Sequence, residues 1–332
     1  MKKLVLAGFL LAGILAARAQ TISLTSANPT LTTVGGSSSV RIGDGSGSSL
    51  TTGFNSTFVG KYSGQINTTG FGNSLFGYSA GRNITTGFNN TSIGGSAGEK
   101  TTTGANNVYV GTEAGFNEIL GYNNTYLGFQ AGRNNTSGEN TMIGYQAGLN
   151  STQNNNTIIG NRAGSMALNS NVMIGNSAGE NAVVAHQLFI DNSNTATPLI
   201  WGDFWNDQLK FNAKVNIGSN PFPTNTLYST YQLFVKGGIL TDEVRVALST
   251  ATGWADYVFA KDYNLKPLSE VEKFINANGH LPNVPSAAEV KQDGIALGDM
   301  SRIQQEKIEE LTLYIIAQNK RLEALEAKLN NK

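Results

Sequence analysis

A short unit of polar, apolar and glycine positions recurs along the first half of the chain. It reads Asn-Thr-x-aliphatic-Gly-x-x-Ala-Gly, and NTMIGYQAG at residues 140–148 is one copy. A second glycine follows the first by four residues in all nine copies, and successive copies are 17 residues apart five times, then 16, 16 and 15. The first glycines are Gly43, Gly60, Gly77, Gly94, Gly111, Gly128, Gly144, Gly160 and Gly175. A repeat this short predicts a solenoid with one copy per coil.

We therefore predict a mainly β fold: a parallel β-roll or β-solenoid shaft of coils of 16–17 residues over residues 36–191. Each coil is expected to contain two short strands and two tight turns. HQLFID at residues 186–191 is a degenerate last copy. Coils this small bury little apolar area alone, so stacking and association between chains must supply the rest of the stability.

The residue just before the first glycine is apolar in all nine copies. Side chains of a strand alternate between its two faces, so one face of each strand carries this column. We predict that it lines the roll interior, together with the small residue three positions after the glycine. The column consists of Ile42, Val59, Phe76, Ile93, Val110, Leu127, Ile143, Ile159 and Ile174.

One residue earlier, on the opposite face of the strand, seven of nine positions are also apolar. A solvated outer face is not expected to be apolar, and an exposed stripe of this kind usually meets a partner. We predict that it contacts neighbouring copies of the chain. This predicted inter-chain face consists of Phe58, Leu75, Tyr109, Tyr126, Met142, Ile158 and Met173.

Two further columns of the repeat, one of asparagines and one of glycines, predict local features of the backbone. Stacked asparagines can form hydrogen-bond ladders along a solenoid, and glycines at a corner allow a positive φ. The first column is Asn73, Asn90, Asn107, Asn124, Asn140, Asn156 and Asn171. The second, predicted to have positive φ, includes Gly70, Gly87, Gly104, Gly121 and Gly138.

After the repeat, residues 192–253 are predicted to form a β-rich connector of short strands separated by turns. Its aromatic residues Trp201, Phe204 and Trp205 allow two interpretations. They could form a sugar-stacking platform, or they could plug the end of the shaft. The plug is favoured because the ends of solenoids need caps.

Charge and helix-forming residues increase in the last part of the chain. Residues 254–299 are predicted to form a helical neck. Ser269 and Glu272 match a capping box whose helix stops at Gly279, and a second box at Ser286 and Glu289 closes near Gly294.

Residues 300–332 are predicted to form an α-helical coiled coil, because one face of a long helix from Met300 to near Leu329 follows a heptad pattern. Ile and Leu at these sites do not choose between two and three strands, but the β-roll favours three. The predicted core consists of Ile308, Leu311, Ile315, Gln318, Leu322, Leu325 and Leu329, with Gln318 as the polar exception.

The start of the chain has the pattern of an export signal. Lys2 and Lys3 precede an apolar run, and Ala17-Arg18-Ala19 offers a cleavage site, so residues 1–19 are predicted to be removed. Residues 20–35 form an N-terminal segment before the repeat. We expect the mature protein to be secreted or at the cell surface, with no membrane span. A net charge of zero gives no indication of a nucleic-acid partner.

Candidate chemistry is sparse. SIGGSAGEKTTTG at residues 92–104 resembles a phosphate-binding loop, but Glu99 separates glycine from lysine and the glycines belong to the repeat. There is no cysteine, and the two histidines, His186 and His280, have no ligand-spaced partners. We therefore expect no catalytic residue, metal or cofactor.

Two resemblances add to these predictions. The Asn-Thr-x-Ile-Gly-x-x-Ala-Gly repeats resemble the head repeats of trimeric autotransporter adhesins, which implies a parallel β-roll wound as a homotrimer. The sequence from Trp254 onward is similar to the C-terminal region of secreted tail-fibre-domain proteins, distantly similar to the intramolecular chaperones of phage tail spikes. That family implies trimer templating, and some members cut themselves with a serine that precedes an aspartate. Here Ala255 precedes Asp256, with Lys261 beyond.

The leading functional hypothesis is an exported homotrimeric fibre, structural or adhesive, whose C-terminal region drives assembly. Its partners would be copies of itself and a surface glycan or matrix component. The alternative is a self-processing or glycan-acting tail-spike-like enzyme. A third hypothesis is a solenoid that binds ice or glycan through threonine rows such as Thr85-Thr86 and Thr102-Thr103, which fade after residue 104.

Overall fold

The computed structural model describes residues 31–33, 38–218, 222, 229–247 and 254–330. The chain divides into two compact units, Met1–Gly237 and Gly238–Lys332, which are considered separately. The predicted signal peptide, residues 1–19, lies outside the described residues, as does most of the N-terminal segment 20–35.

The first unit is a parallel β-solenoid of about 11 turns with coils of about 17 residues. This confirms the predicted solenoid, but the expectation of two strands per coil is wrong, because each repeat contributes one strand. Nine strands of three residues stack one per coil, each in register with the strand of the next coil. They are β2 (Val40–Ile42), β3 (Thr57–Val59), β4 (Ser74–Phe76), β5 (Thr91–Ile93), β6 (Val108–Val110), β7 (Thr125–Leu127), β8 (Thr141–Ile143), β9 (Thr157–Ile159) and β10 (Val172–Ile174).

Antiparallel strands flank this stack at both ends. Strand β1 (Leu31–Thr33) pairs antiparallel with β2. At the other end, β11 (Gln187–Ile190) continues the parallel stack, and β12 (Ile200–Asp203) and β13 (Gln208–Phe211) then follow antiparallel. Strands β14 (Val215–Ile217) and β15 (Leu233–Val235) form a separate parallel pair. Strands predicted after the repeat are thus present as far as Val235, whereas residues 236–247 contain none.

The interior of the solenoid is lined by the middle residues of β3 to β10, together with the small residue three positions after the first glycine, from Ala80 to Ala178. The middle residues were predicted to form an inter-chain face. That prediction is wrong, because the chain itself encloses them and leaves none of their surface exposed. The seven residues concerned are Phe58, Leu75, Tyr109, Tyr126, Met142, Ile158 and Met173, all 0% exposed.

The column predicted to line the interior lies on the outer side instead. Its members are half-buried or exposed, because they alternate with the enclosed middle residues. From Asn73 onward, the buried asparagine of each coil lies two positions before the middle residue and on the same side of the chain, which fixes that side as the interior. The residues on the outer side are Ile42, Val59, Phe76, Ile93, Val110, Leu127, Ile143, Ile159 and Ile174.

Both glycine columns of the corners are required by close stacking of the coils. A Cβ on Gly77 would lie 2.3 Å from the carbonyl oxygen of Gly94, and φ at Gly77 is +142°. The column from Gly70 to Gly138 was predicted to need a positive φ, and this is wrong for all five of its glycines. The requirement for glycine is steric, since a Cβ on Gly70 would lie 2.3 Å from the carbonyl oxygen of Gly87.

The second unit is helical. A 3-10 helix, Ala255–Phe259, is followed by α1 (Leu268–Asn278), α2 (Ala287–Asp293) and α3 (Leu297–Asn330). Helix α2 begins with the predicted capping box, in which Ser286 accepts a hydrogen bond from the Glu289 amide. The box predicted at Ser269 is wrong, because α1 begins after Pro267 without a side-chain cap. Gly279 ends α1 with φ of 73°, as predicted.

Candidate interaction surfaces

A ladder of buried asparagines joins successive coils inside the shaft. The Oδ1 atom of Asn90 accepts from both the backbone amide (3.1 Å) and the side-chain amide (3.0 Å) of Asn107. The Asn107 side chain also donates to the Gly121 carbonyl at 2.9 Å. This confirms the predicted ladder, and it means that each asparagine satisfies buried backbone groups of its neighbouring coils.

One coil carries a buried acid that the sequence analysis did not single out. Glu118 is fully buried, and burial raises its pKa to about 8. The Tyr126 hydroxyl donates to Glu118 Oε2 at 3.3 Å. Burial, and then the nearby Glu118 carboxyl, raise the pKa of Tyr109 well above its usual value. The column of Glu118 also contains Ile84 and Thr101, so no constant residue type marked it as interior.

The outer strand face, defined as the first and third residues of β2 to β10, is a regular surface that runs along the shaft. Its third-residue column is the apolar one that begins at Ile42 and ends at Ile174. None of its eighteen positions carries a charge. The first-residue column consists of Val40, Thr57, Ser74, Thr91, Val108, Thr125, Thr141, Thr157 and Val172.

Polar side chains form rows on other sides of the shaft. Lys100 donates to Asn117 Oδ1 at 2.8 Å, Asn117 to Asn134 at 2.6 Å, and Asn134 to Asn150 at 2.7 Å. The lysine that suggested a phosphate-binding loop is therefore the first member of a surface row, and its Nζ also lies 5.0 Å from the ring centroid of Phe116.

The end of the solenoid is covered by one of the three aromatic residues considered as a plug. Trp201 packs against the interior cluster, stands opposite Phe189 in the β11–β12 pair, and donates from Nε1 to Gln187 Oε1 at 3.3 Å. Phe204 and Trp205 stay exposed. Beside Trp201 lies an open cleft of about 360 Å³.

Helix α3 uses its charged side to pack within the second unit. The Tyr257 hydroxyl and, at 3.2 Å, the Asn283 side-chain amide donate to Glu306. Lys307 Nζ donates to Glu306 and to Glu310, at 2.8 Å each. Burial alone would raise the pKa of Glu306, but the hydrogen bonds from Lys307, Tyr257 and Asn283 together hold it below its usual value.

The predicted coiled-coil residues lie on the far side of α3 from Glu306, as the helical period of 3.6 residues places them. Within the single chain all seven are exposed, and the six apolar ones are each more than half exposed. This α3 stripe consists of Ile308, Leu311, Ile315, Gln318, Leu322, Leu325 and Leu329.

Comparisons with protein-family models, with curated proteins and with solved structures find no match to this chain. Among the described residues, no three His, Cys, Asp or Glu side chains are grouped so that they could hold a metal ion. No helix in the part of the chain that the structure describes is long and apolar enough to cross a membrane. Ala255, where the resemblance implies a serine, is buried.

Proposed function

We propose that the chain is an exported structural fibre protein that assembles as a homotrimer, with its C-terminal region driving assembly. The main support for this proposal is that the two sides of helix α3 have different surroundings. The helix packs on the rest of its unit through the side that holds Glu306, while the apolar α3 stripe is left exposed.

An exposed stripe of this kind has a physical cost that association removes. Burying a leucine or isoleucine side chain stabilises by about 1.5–3 kcal/mol, and the stripe has six such residues. Their heptad spacing suits packing against the same helix of another copy of the chain, because side chains of one helix then fit as knobs into holes between side chains of the other.

Three chains are proposed rather than two because the repeats resemble the heads of trimeric adhesins. Gln318 is consistent with this role, since a single polar core residue often fixes the register and the number of strands. The polar rows on the sides of the shaft, such as Asn117-Asn134-Asn150, would be displayed many times on such a fibre and suit adhesion to a glycan or matrix component.

The proposal involves no catalysis. Self-processing in the tail-spike manner needs a nucleophile, and Ala255 has none. Intact-mass measurement after refolding tests this point, because a single cut near residue 255 would favour the enzymatic alternative over the fibre.

Sedimentation of the chain without residues 1–19 tests assembly. We expect a species of three chains at micromolar concentration, and a stable monomer would contradict the proposal. The double substitution Ile315→Asp and Leu322→Asp is expected to abolish the trimer. Ala317→Asp and Ala324→Asp, spaced alike on another side of α3, form the matched control and are expected to leave it intact.

A further inference from the structure

We infer that the outer strand face of the shaft is the surface through which copies of this chain contact one another. The inference rests on the proposed homotrimer and deepens it, because it assigns a second contact region outside α3. It also reverses the sequence-based assignment, in which the interior residues such as Tyr109 were to form that contact.

The composition of this face sets it apart from the other sides of the shaft. All nine residues of its third column are apolar, and its first column contains only Thr, Ser and Val. Charged residues lie on other columns, for example Arg133 and Glu113, whose Nε and Oε2 atoms are 2.7 Å apart. A face without charge offers no complementarity to a charged ligand, and its apolar column suits contact with another apolar column.

The dimensions of the face agree with an interface. Nine strands about 4.8 Å apart span roughly 40 Å, and two columns of one strand face cover a width of roughly 10 Å. The footprint is therefore roughly 400 Å², with apolar residues in one of its two columns and mainly Thr and Ser in the other. It is about half of the ~800 Å² that each partner buries in a standard interface, and the α3 stripe adds to it.

A second copy of the chain is the occupant that matches this geometry. The residues repeat once per coil along the whole shaft. An identical shaft has the same period, so each apolar row of one chain can meet a row of the other over the full length. A small globular partner would cover only a few coils and leave the rest of the column in water.

The absence of cysteine from the natural sequence allows a direct test by cross-linking. Ile93→Cys places a thiol on the outer strand face, and Ile119→Cys places one on another side of the shaft. Within the single chain the two isoleucines are 43% and 45% exposed, so the variants are matched in residue type and in exposure before assembly. Leu127→Cys, two coils from Ile93, provides an independent position on the same face.

Each variant, lacking residues 1–19, is treated with a short bis-maleimide at micromolar concentration and separated under denaturing conditions. We expect covalent dimers from Ile93→Cys and Leu127→Cys, and single chains from Ile119→Cys. Reaction of the denatured chains with a monofunctional maleimide should be equal for all three, which shows that each variant carries one reactive thiol.

Sedimentation of the unsubstituted chain separates the two ways in which the idea could fail. A trimer in which the two face positions do not cross-link, or cross-link no better than Ile119→Cys, overturns this inference and leaves the proposed trimer held through α3. A monomer overturns both. Cross-linking at both face positions in a trimer supports the inference.

Discussion

The side-chain amide of Asn107 lies 3.0 Å from the Oδ1 atom of Asn90, one coil earlier in the shaft. Both residues are fully buried. The Oδ1 atom of Asn107 in turn accepts from the backbone amide of Asn124 at 3.0 Å. The interior is therefore held by a continuous polar row beside the apolar one, and each member depends on both neighbours.

Replacing one member of the row should strongly destabilise the shaft. Asn107→Ala leaves the Asn124 amide and the Gly121 carbonyl without their partner, and each unsatisfied buried group costs about 1–3 kcal/mol. We expect a loss of roughly 2–5 kcal/mol in denaturant unfolding. Asn106→Gly, at the exposed position next to it, is the control and should change stability little; an equal loss there would contradict the role of the ladder.

Replacement of two adjacent glycines by alanine should change the stability of the shaft by very different amounts. A Cβ on Gly94 would lie 2.6 Å from the carbonyl carbon of Gly111, and φ there is +134°. At Gly95 the nearest atom would be 3.9 Å away. We expect Gly94→Ala to cost at least ~3 kcal/mol and Gly95→Ala to stay within ~0.5 kcal/mol, as measured by thermal unfolding. Similar midpoints for the two variants would show that the coils can move apart.

The shaft should lose stability as the pH rises. The folded chain keeps the Glu118 proton up to a pKa of about 8, whereas the ordinary value is 4.5. Between these values the unfolded chain has released the proton and the folded chain has not, so the free energy of unfolding falls by about 1.4 kcal/mol per pH unit. Glu118→Gln should remove this slope in denaturation at a series of pH values. Glu139→Gln, at an exposed position, is the control and should retain it.

The C-terminal unit should respond to pH with the opposite sign. The folded-state pKa of Glu306 lies below its ordinary value of 4.5, so the stabilisation is present above that value and is lost as the pH falls through the folded pKa. Glu306→Gln should weaken the unit at neutral pH and remove the acid-dependent loss, followed by helical circular dichroism of the chain. Glu326→Gln, exposed near the end of α3, should behave like the unsubstituted protein.

The repeat predicted the solenoid, its coil length and the asparagine ladder, because these depend on periodicity alone. It did not predict which strand face is enclosed. Both faces carry apolar residues, and alternation assigns residues to two faces without showing which of the two points inward. Asn107 and Tyr109 contained the missing information. They lie two residues apart and so share a face, and an asparagine that forms a ladder has to be inside.

The charged contacts of the second unit could not be predicted for a different reason. Tyr257 and Glu306 are 49 residues apart, and nothing in their local sequence pairs them. The start of α1 was misplaced because Pro267 stands at the N-cap, so that Ser269 lies inside the first turn instead of at the cap. By contrast, the α2 cap was predicted correctly, since both of its partners lie within four residues.

The ladder also bears on how such a shaft can change in evolution. Each coil forms hydrogen bonds with the coil before it and the coil after it. At the end of the ladder, the Oδ1 atom of Asn171 accepts a hydrogen bond from the backbone amide of Gln187, where the terminal strands begin. A whole coil can therefore be added or deleted in the middle without altering either end. Length becomes a quantity that varies in steps of one coil, about 4.8 Å at a time, so the reach of the protein can be tuned independently of its termini.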